Sequence, residues 1–390
     1  MPKRLLFPLF IIIAAKIAGG AYIACSMNIP AVGTFWSDPT RVYSWAQDNA
    51  FLVNPGAMGK WSLTFMGWDS AWYLSIMTKG YGFSAQSYTF SPALPFFANV
   101  ADFFLQSPMV SLALTASVFG VLWIPLYQLL AETYIGKEAA LLSALLLAFS
   151  PYLFLFTTVA YSEGLLLFFV LGAWLLFRKG KLLVASVFAV VAPLARTMGI
   201  LVVFPLLYDS LKQKTHRIRN VSFSLLPIAS LTAWFVSFGF SAGDFLAPMH
   251  TSEWSGMYSF RTLLTDGIPR YGMKAIFEAP YQASPIPSNW LLPVAVGSAL
   301  LFPLLLFYST MKKGKPLWLY AAAGYCGILL FGALVSTPRF VSVLFPLWIP
   351  LTAGFSRNKK SIAIAGFMAA LFYVVALDLW ISFLSGQFVA

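Results

Sequence analysis

The sequence is short of acidic residues, with 13 Asp and Glu against 25 Lys and Arg in 390 positions, and charged residues make up only 10% of it. It is equally short of histidine and cysteine, with two of each (His216, His250, Cys25 and Cys326). Both cysteines lie in apolar runs, so no disulfide framework is implied. His250 and Glu253 are three apart, as two ligands on one helical turn would be, but His216 falls in a distant basic cluster. A histidine-based metal site is therefore not expected, and no Asp-Asp or Asp-Glu doublet argues for a carboxylate-bound one. No cofactor is implied; divalent-metal dependence through carboxylates is left open. The scarcity of charge as a whole excludes an ordinary soluble domain. With 59% hydrophobic residues and a mean hydropathy of +0.79, the chain needs many helices in lipid.

What the sequence has in abundance is long apolar runs and aromatic residues, the latter 17% of the chain. Uncharged runs mark expected spans at 5–27 (with Lys16 inside), 108–131, 138–156, 161–177, 182–208, 221–240, 289–310, 316–336, 340–355 and 361–384. About 20 helical residues cross the hydrocarbon core. The basic start before Leu5 mimics a signal peptide, but Lys16 breaks its apolar core, and we read it as a first span. The run 182–208 carries Pro193, Arg196 and Gly199, which predicts two half-helices, 182–195 and 197–208.

Charge placement supports that division. A net charge of +12 would point to nucleic acid in a soluble protein. With the N-terminus in the cytoplasm and eleven segments, however, the clusters Lys3/Arg4, Lys137, Arg178/Lys179/Lys181, Lys212–Arg219, Lys312/Lys313/Lys315 and Arg357/Lys359/Lys360 all fall inside. A single crossing at 182–208 would move the Lys212–Arg219 cluster outside. The excess charge is thus topological, and no nucleic-acid partner is expected. The expected fold is an all-α polytopic membrane protein forming one domain, 1–390. Its two larger outer segments, 28–107 and 241–288, are too small for separate cores and are expected to hold interfacial helices. No internal repeat is present.

The same topology gathers the unusual polar residues on one side. Asp69 lies in the first outer segment, within Gly67-Trp68-Asp69-Ser70-Ala71-Trp72-Tyr73. Tyr161-Ser162-Glu163 falls at an outer turn, Arg196 at the break in 182–208, and Arg339 at the outer end of a span. Ionisable groups next to hydrocarbon are costly and usually pair or line a cavity. Asp69 has two readings. It is either a general base or the N-cap of a helix over 70–79. Glu163 is expected to pair with Arg196 or Arg339. Trp68, Trp72, Tyr73 and Tyr81 are either membrane-interface anchors or sugar-stacking residues.

These residues also resemble a family. Trp68-Asp69-Ser70, Tyr73-Leu74-Ser75-Ile76, Gly80-Tyr81 and Tyr88-Thr89-Phe90-Ser91-Pro92-Ala93-Leu94-Pro95 are similar to the first-loop signature of PIG-V-type mannosyltransferases. Tyr161-Ser162-Glu163 resembles that family's Tyr-Ser-Glu turn, Ala195-Arg196-Thr197-Met198-Gly199 its Arg-Ser-Asn-Gly element, and Arg339-Phe340 with Pro346 its late Arg-Phe motif. The elements run in order from 68 to 346. Two departures stand out: Ser91 replaces an aromatic, and Thr197-Met198 replaces Ser-Asn.

The resemblance implies a GT-C fold with the catalytic acid in the first outer loop. It also implies a polyprenyl- or dolichyl-phosphate sugar donor and a glycan or glycolipid acceptor, both used on the extracytoplasmic or lumenal face. Asp69 would then take the acceptor proton, and Arg196 and Arg339 would hold the departing phosphate. Tyr161, Ser162 and Glu163 would support them. An inverting transfer of this kind needs no second nucleophilic carboxylate. The competing expectation is a secondary transporter or lipid flippase built on the broken helix around Arg196.

Overall fold

The computed structural model describes residues 3–26, 64–250, 314–331, 336–355 and 358–384. The outer segment beyond 250, the expected span 289–310 and the first outer segment up to 63 lie outside the described residues. So do Asp38, Asp48, Glu253, Asp266 and Glu278. Among the described residues every regular element is helical.

Four described helical segments are long and apolar enough to cross a bilayer: Leu5–Cys25, Pro108–Ile135, Arg217–Ser241 and Lys359–Leu384. Their apolar residues face outward as well as inward, as lipid-bathed helices require. On Ala93–Leu105, Phe96, Val100, Phe103 and Phe104 form one exposed stripe, while Ala93, Leu94 and Ala98 are buried. The protein is an integral membrane protein.

Helix boundaries follow local chemistry. Pro108 opens one long helix, where its missing N–H costs nothing. The run 138–156 is expected as one span, but the structure divides it into Lys137–Phe149 and Pro151–Phe156. Pro151 drives Ser150 out of the helical region, to φ −55° and ψ 131°. The run 340–355 is likewise not one helix. It consists of Thr337–Ser342, a 3-10 turn at Phe345–Leu347 and Trp348–Thr352, because Pro346 and Pro350 each remove a backbone donor. In the 182–208 run, Leu182–Ala195 is α-helical and Arg196 is extended. Thr197–Val202 is 3-10 and Val203–Lys212 is α-helical.

The Asp69–Lys79 helix is not the surface-lying helix expected of the first outer segment. Trp72 through Met77 are all buried, along with Ser70.

In lipid, helices are held together by close packing and satisfied polar groups rather than by exclusion of water. One such contact sits at the centre of this fold. Gly120 and Gly164 press two helices together, and a Cβ on Gly120 would lie 1.8 Å from the Thr157 carbonyl oxygen. Lys16, buried in the first helix, donates to the carbonyls of Gly120 (3.1 Å) and Thr157 (2.6 Å) and to Thr157 Oγ1 (2.9 Å). All three ammonium hydrogens are thus used, which is what a buried lysine needs. The first span is thereby tied to the turn that leads into Tyr161.

Candidate functional site

The site forms where that turn meets the start of the Asp69–Lys79 helix. The Ala160 N–H donates to the Phe65 carbonyl (2.8 Å), which draws the two segments together. The Asp69 N–H then donates to Tyr161 Oη (3.0 Å). From the far end of the chain, Phe383 packs its ring where a side chain on Gly67 would have to go. Its carbonyl accepts the Trp68 indole N–H at 3.3 Å. Between these restraints Trp68 adopts φ 46° and ψ −113°. A bulky residue rarely takes a positive φ, and such strain concentrates at functional sites. Its effect here is to turn the chain sharply just before Asp69.

Asp69 is the first residue of its helix, and the N-cap position before it is held by Trp68. The capping role considered from the sequence is not the one adopted. The carboxylate instead accepts from Arg339: Nη1 donates to Asp69 Oδ2 at 2.8 Å. The Arg339 Nε donates to Glu163 Oε1 at 2.5 Å, and Arg196 Nη1 donates to the same oxygen at 2.6 Å. Glu163 therefore pairs with both arginines, where the sequence expectation was one or the other. The four groups form an unbroken chain, Asp69–Arg339–Glu163–Arg196, whose formal charges cancel.

Burial is graded along this chain. The side chains of Glu163 and Arg339 are 1% and 6% exposed, Arg196 is 14% exposed, and Asp69 is 31% exposed. Asp69 is thus the end open to its surroundings. Glu163 Oε2 is buried with no hydrogen-bond partner among the described residues.

Aromatic rings complete the mount for Arg339. Its guanidinium lies 4.4 Å from the Tyr161 ring centre and 4.7 Å from that of Phe156. A desolvated cation over two aromatic faces gains on the order of 1–2 kcal/mol from each. Burial alone works against the Arg339 charge, but Glu163 and then Asp69 more than offset it and hold the group firmly protonated. Tyr161 is itself buried beneath the guanidinium. It accepts from the Asp69 N–H while its ring supports the arginine.

The remaining expected residues sit around this core. Ser162 Oγ and Tyr73 Oη share a 2.9 Å hydrogen bond behind Glu163. Trp72 is buried and stacked on Phe90, with ring centres 5.4 Å apart, and Tyr73 meets the same ring edge-on. Tyr81 Oη donates to the Phe90 carbonyl at 2.6 Å. Trp72 and Tyr73 are therefore packed inside the protein, and Trp68 is braced against Phe383. Sequence reasoning missed Phe383, Phe156 and Lys16 as parts of this mount. Nothing local marks the two phenylalanines, whereas a lysine inside an apolar span was a visible signal. No group of three or more His, Cys, Asp or Glu side chains able to hold a metal occurs among the described residues.

No family model matches the chain, and no curated protein matches its sequence. Solved structures do match its fold. The chain is similar to the archaeal oligosaccharyltransferase AglB from Archaeoglobus fulgidus in complex with an inhibitory peptide and a dolichol-phosphate. The TM-score is 0.50 with 13% identity, over 95% of this chain and 56% of that one. A second structure of the Archaeoglobus fulgidus oligosaccharyltransferase, in the apo form, aligns with a TM-score of 0.49 and 12% identity over 96% of this chain. The chain thus spans a little over half the length of the oligosaccharyltransferase it matches. The likeness is one of fold alone.

Proposed function

We propose that the chain is an integral-membrane glycosyltransferase that moves a hexose, mannose by resemblance, from a polyprenyl- or dolichyl-phosphate donor to a glycan or glycolipid acceptor. The transfer inverts the anomeric centre. Asp69 takes the proton of the acceptor hydroxyl as general base, and Arg339 with Arg196 holds the lipid phosphate as it leaves. Guanidinium groups suit this task because their fixed donors match phosphate oxygens. Glu163, Tyr161 and Ser162 hold the arginines in place. The N-terminus is cytoplasmic in this proposal, the eleven-segment topology returns at Arg196, and the site opens on the extracytoplasmic or lumenal face.

The observation that carries the proposal is the Asp69–Arg339–Glu163–Arg196 chain: a partly exposed carboxylate linked to a buried Arg339 and, through Glu163, to a half-buried Arg196. The GT-C-type fold, shared with an enzyme whose structure contains dolichol-phosphate, supports the same class of donor. The test is transfer of radiolabel from polyprenyl-phosphate mannose to a lipid extract by purified protein. Undiminished transfer by Asp69→Asn would remove the base assignment.

A second proposal, transport or lipid flipping, draws on the extended conformation of Arg196 between two helical pieces. Counter-flow in proteoliposomes without covalent transfer would favour it.

A further inference from the structure

Arg339 holds two carboxylates at once, Glu163 through Nε and Asp69 through Nη1. In this arrangement the cation that is to receive a phosphate is already engaged. The carboxylate that is to take a proton is held by that same guanidinium. The two engagements differ in depth. The Glu163 side chain is 1% exposed and accepts from both arginines, while Asp69 is 31% exposed and accepts from Arg339 alone among the described side chains. An anion arriving from the open side meets the Asp69 end of the guanidinium first and competes with Asp69, not with Glu163.

We propose that Arg339 is a latch on Asp69 that the donor phosphate releases, so that donor binding both precedes the acceptor and creates the general base. This rests on the phosphate-clamp reading given above. Formal charge follows the same logic. The resting site sums to zero, and a phosphodiester brings one negative charge. Asp69 then loses its cation and gains an anionic neighbour, and both changes raise its affinity for a proton.

In the transfer, the acceptor oxygen forms a bond to the anomeric carbon of the sugar while the bond from that carbon to the phosphate oxygen breaks. The bonding pair leaves with the phosphate, which gains a negative charge, and the hydroxyl proton goes to Asp69, which loses one. The site's total is the same before and after, so no counter-ion has to enter. Glu163 keeps both guanidinium groups seated while Asp69 lets go.

The test is binding of the methyl phosphodiester of a short polyprenol, which has no second ionisation near neutral pH. It is measured by calorimetry on the full chain in detergent, between pH 6 and 7, in two buffers of different ionisation enthalpy. The wild type is expected to take up protons on binding. Asp69→Asn is expected to bind about tenfold more tightly without proton uptake, because the competing carboxylate is gone. Arg339→Gln is expected to bind at least about tenfold more weakly.

Should the amide variant fail to fold, Asp69→Ser repeats the measurement. If Asp69→Asn keeps wild-type affinity and Arg339→Gln loses it, the latch is overturned and the phosphate clamp stands. Tighter binding by Asp69→Asn with no proton uptake by the wild type also overturns the latch, since the carboxylate would repel the ligand without becoming a base. If the wild type does not bind, or Arg339→Gln binds as well as it does, the clamp fails and the latch with it.

Discussion

Arg339 and Asp69 stand 270 positions apart in the chain and meet in a 2.8 Å hydrogen bond between Nη1 and Oδ2. That bond fixes the direction of the Asp69 carboxylate. It joins the side chain to a buried arginine that also holds Glu163, and the consequences can be tested one residue at a time.

Asp69→Asn keeps the shape of the side chain and removes its capacity to accept a proton. Transfer from a polyprenyl-phosphate hexose should fall by about two to four orders of magnitude, the usual loss on removing a general base. Radiolabel incorporation at saturating donor measures this. A variant within a factor of about three of wild type would exclude Asp69 as the base.

Arg339→Ala removes a cation that serves two carboxylates, one of them 1% exposed. Breaking a buried pair from one side typically costs about 3–5 kcal/mol. Thermal unfolding in detergent should show a clear drop, along with loss of donor use. Arg196→Ala leaves Glu163 still paired with Arg339, so its structural cost should be the smaller of the two. If the order is reversed, the graded chain of pairs described above is wrong.

Gly120 and Gly164 should tolerate no side chain. A Cβ at Gly120 would lie 1.8 Å from the Thr157 oxygen, and one at Gly164 would lie 2.6 Å from the Gly120 Cα, both of them backbone atoms. Gly120→Ala and Gly164→Ala should sharply reduce the yield of monodisperse protein. Gly366→Ala, where nothing lies within 4 Å, should express like wild type. Size-exclusion profiles of the three variants decide the point.

Lys16→Met keeps the length of the side chain but leaves the Thr157 carbonyl short of a donor. The Gly120 carbonyl still accepts from Trp123 Nε1 at 3.0 Å. The expected loss is about 1–3 kcal/mol, the cost of one unsatisfied buried group. Lys16→Ala should lose more, because it also opens a cavity. Equal melting temperatures for the two variants would count against this account.

Some of the architecture was legible in the sequence. The long helices Pro108–Ile135 and Lys359–Leu384 follow the uncharged runs at 108–131 and 361–384 closely, since hydropathy and proline placement act locally. The breaks within the run at 340–355 were not legible from hydropathy. The run's hydropathy is that of a span, but Pro346 lacks a backbone donor and sits in a 3-10 turn between two short helices. For Asp69, local pattern favoured a helix cap, and a charged partner 270 residues away outcompeted it.

The sequence by itself determined that the chain lives in a membrane. Its lack of acids also made Asp69, Glu163 and their few companions stand out. Only the tertiary structure decided which of them touch. Arg339 reaches Glu163 across 176 positions and Asp69 across 270. Phe383 braces Trp68 from 315 positions away. Periodicity and hydropathy report how a segment sits in lipid, because the solvent acts on each residue where it stands. Ion pairs depend on the distance between side chains after packing. In a medium that screens charge poorly, one such bond to a buried guanidinium outweighs the local capping preference.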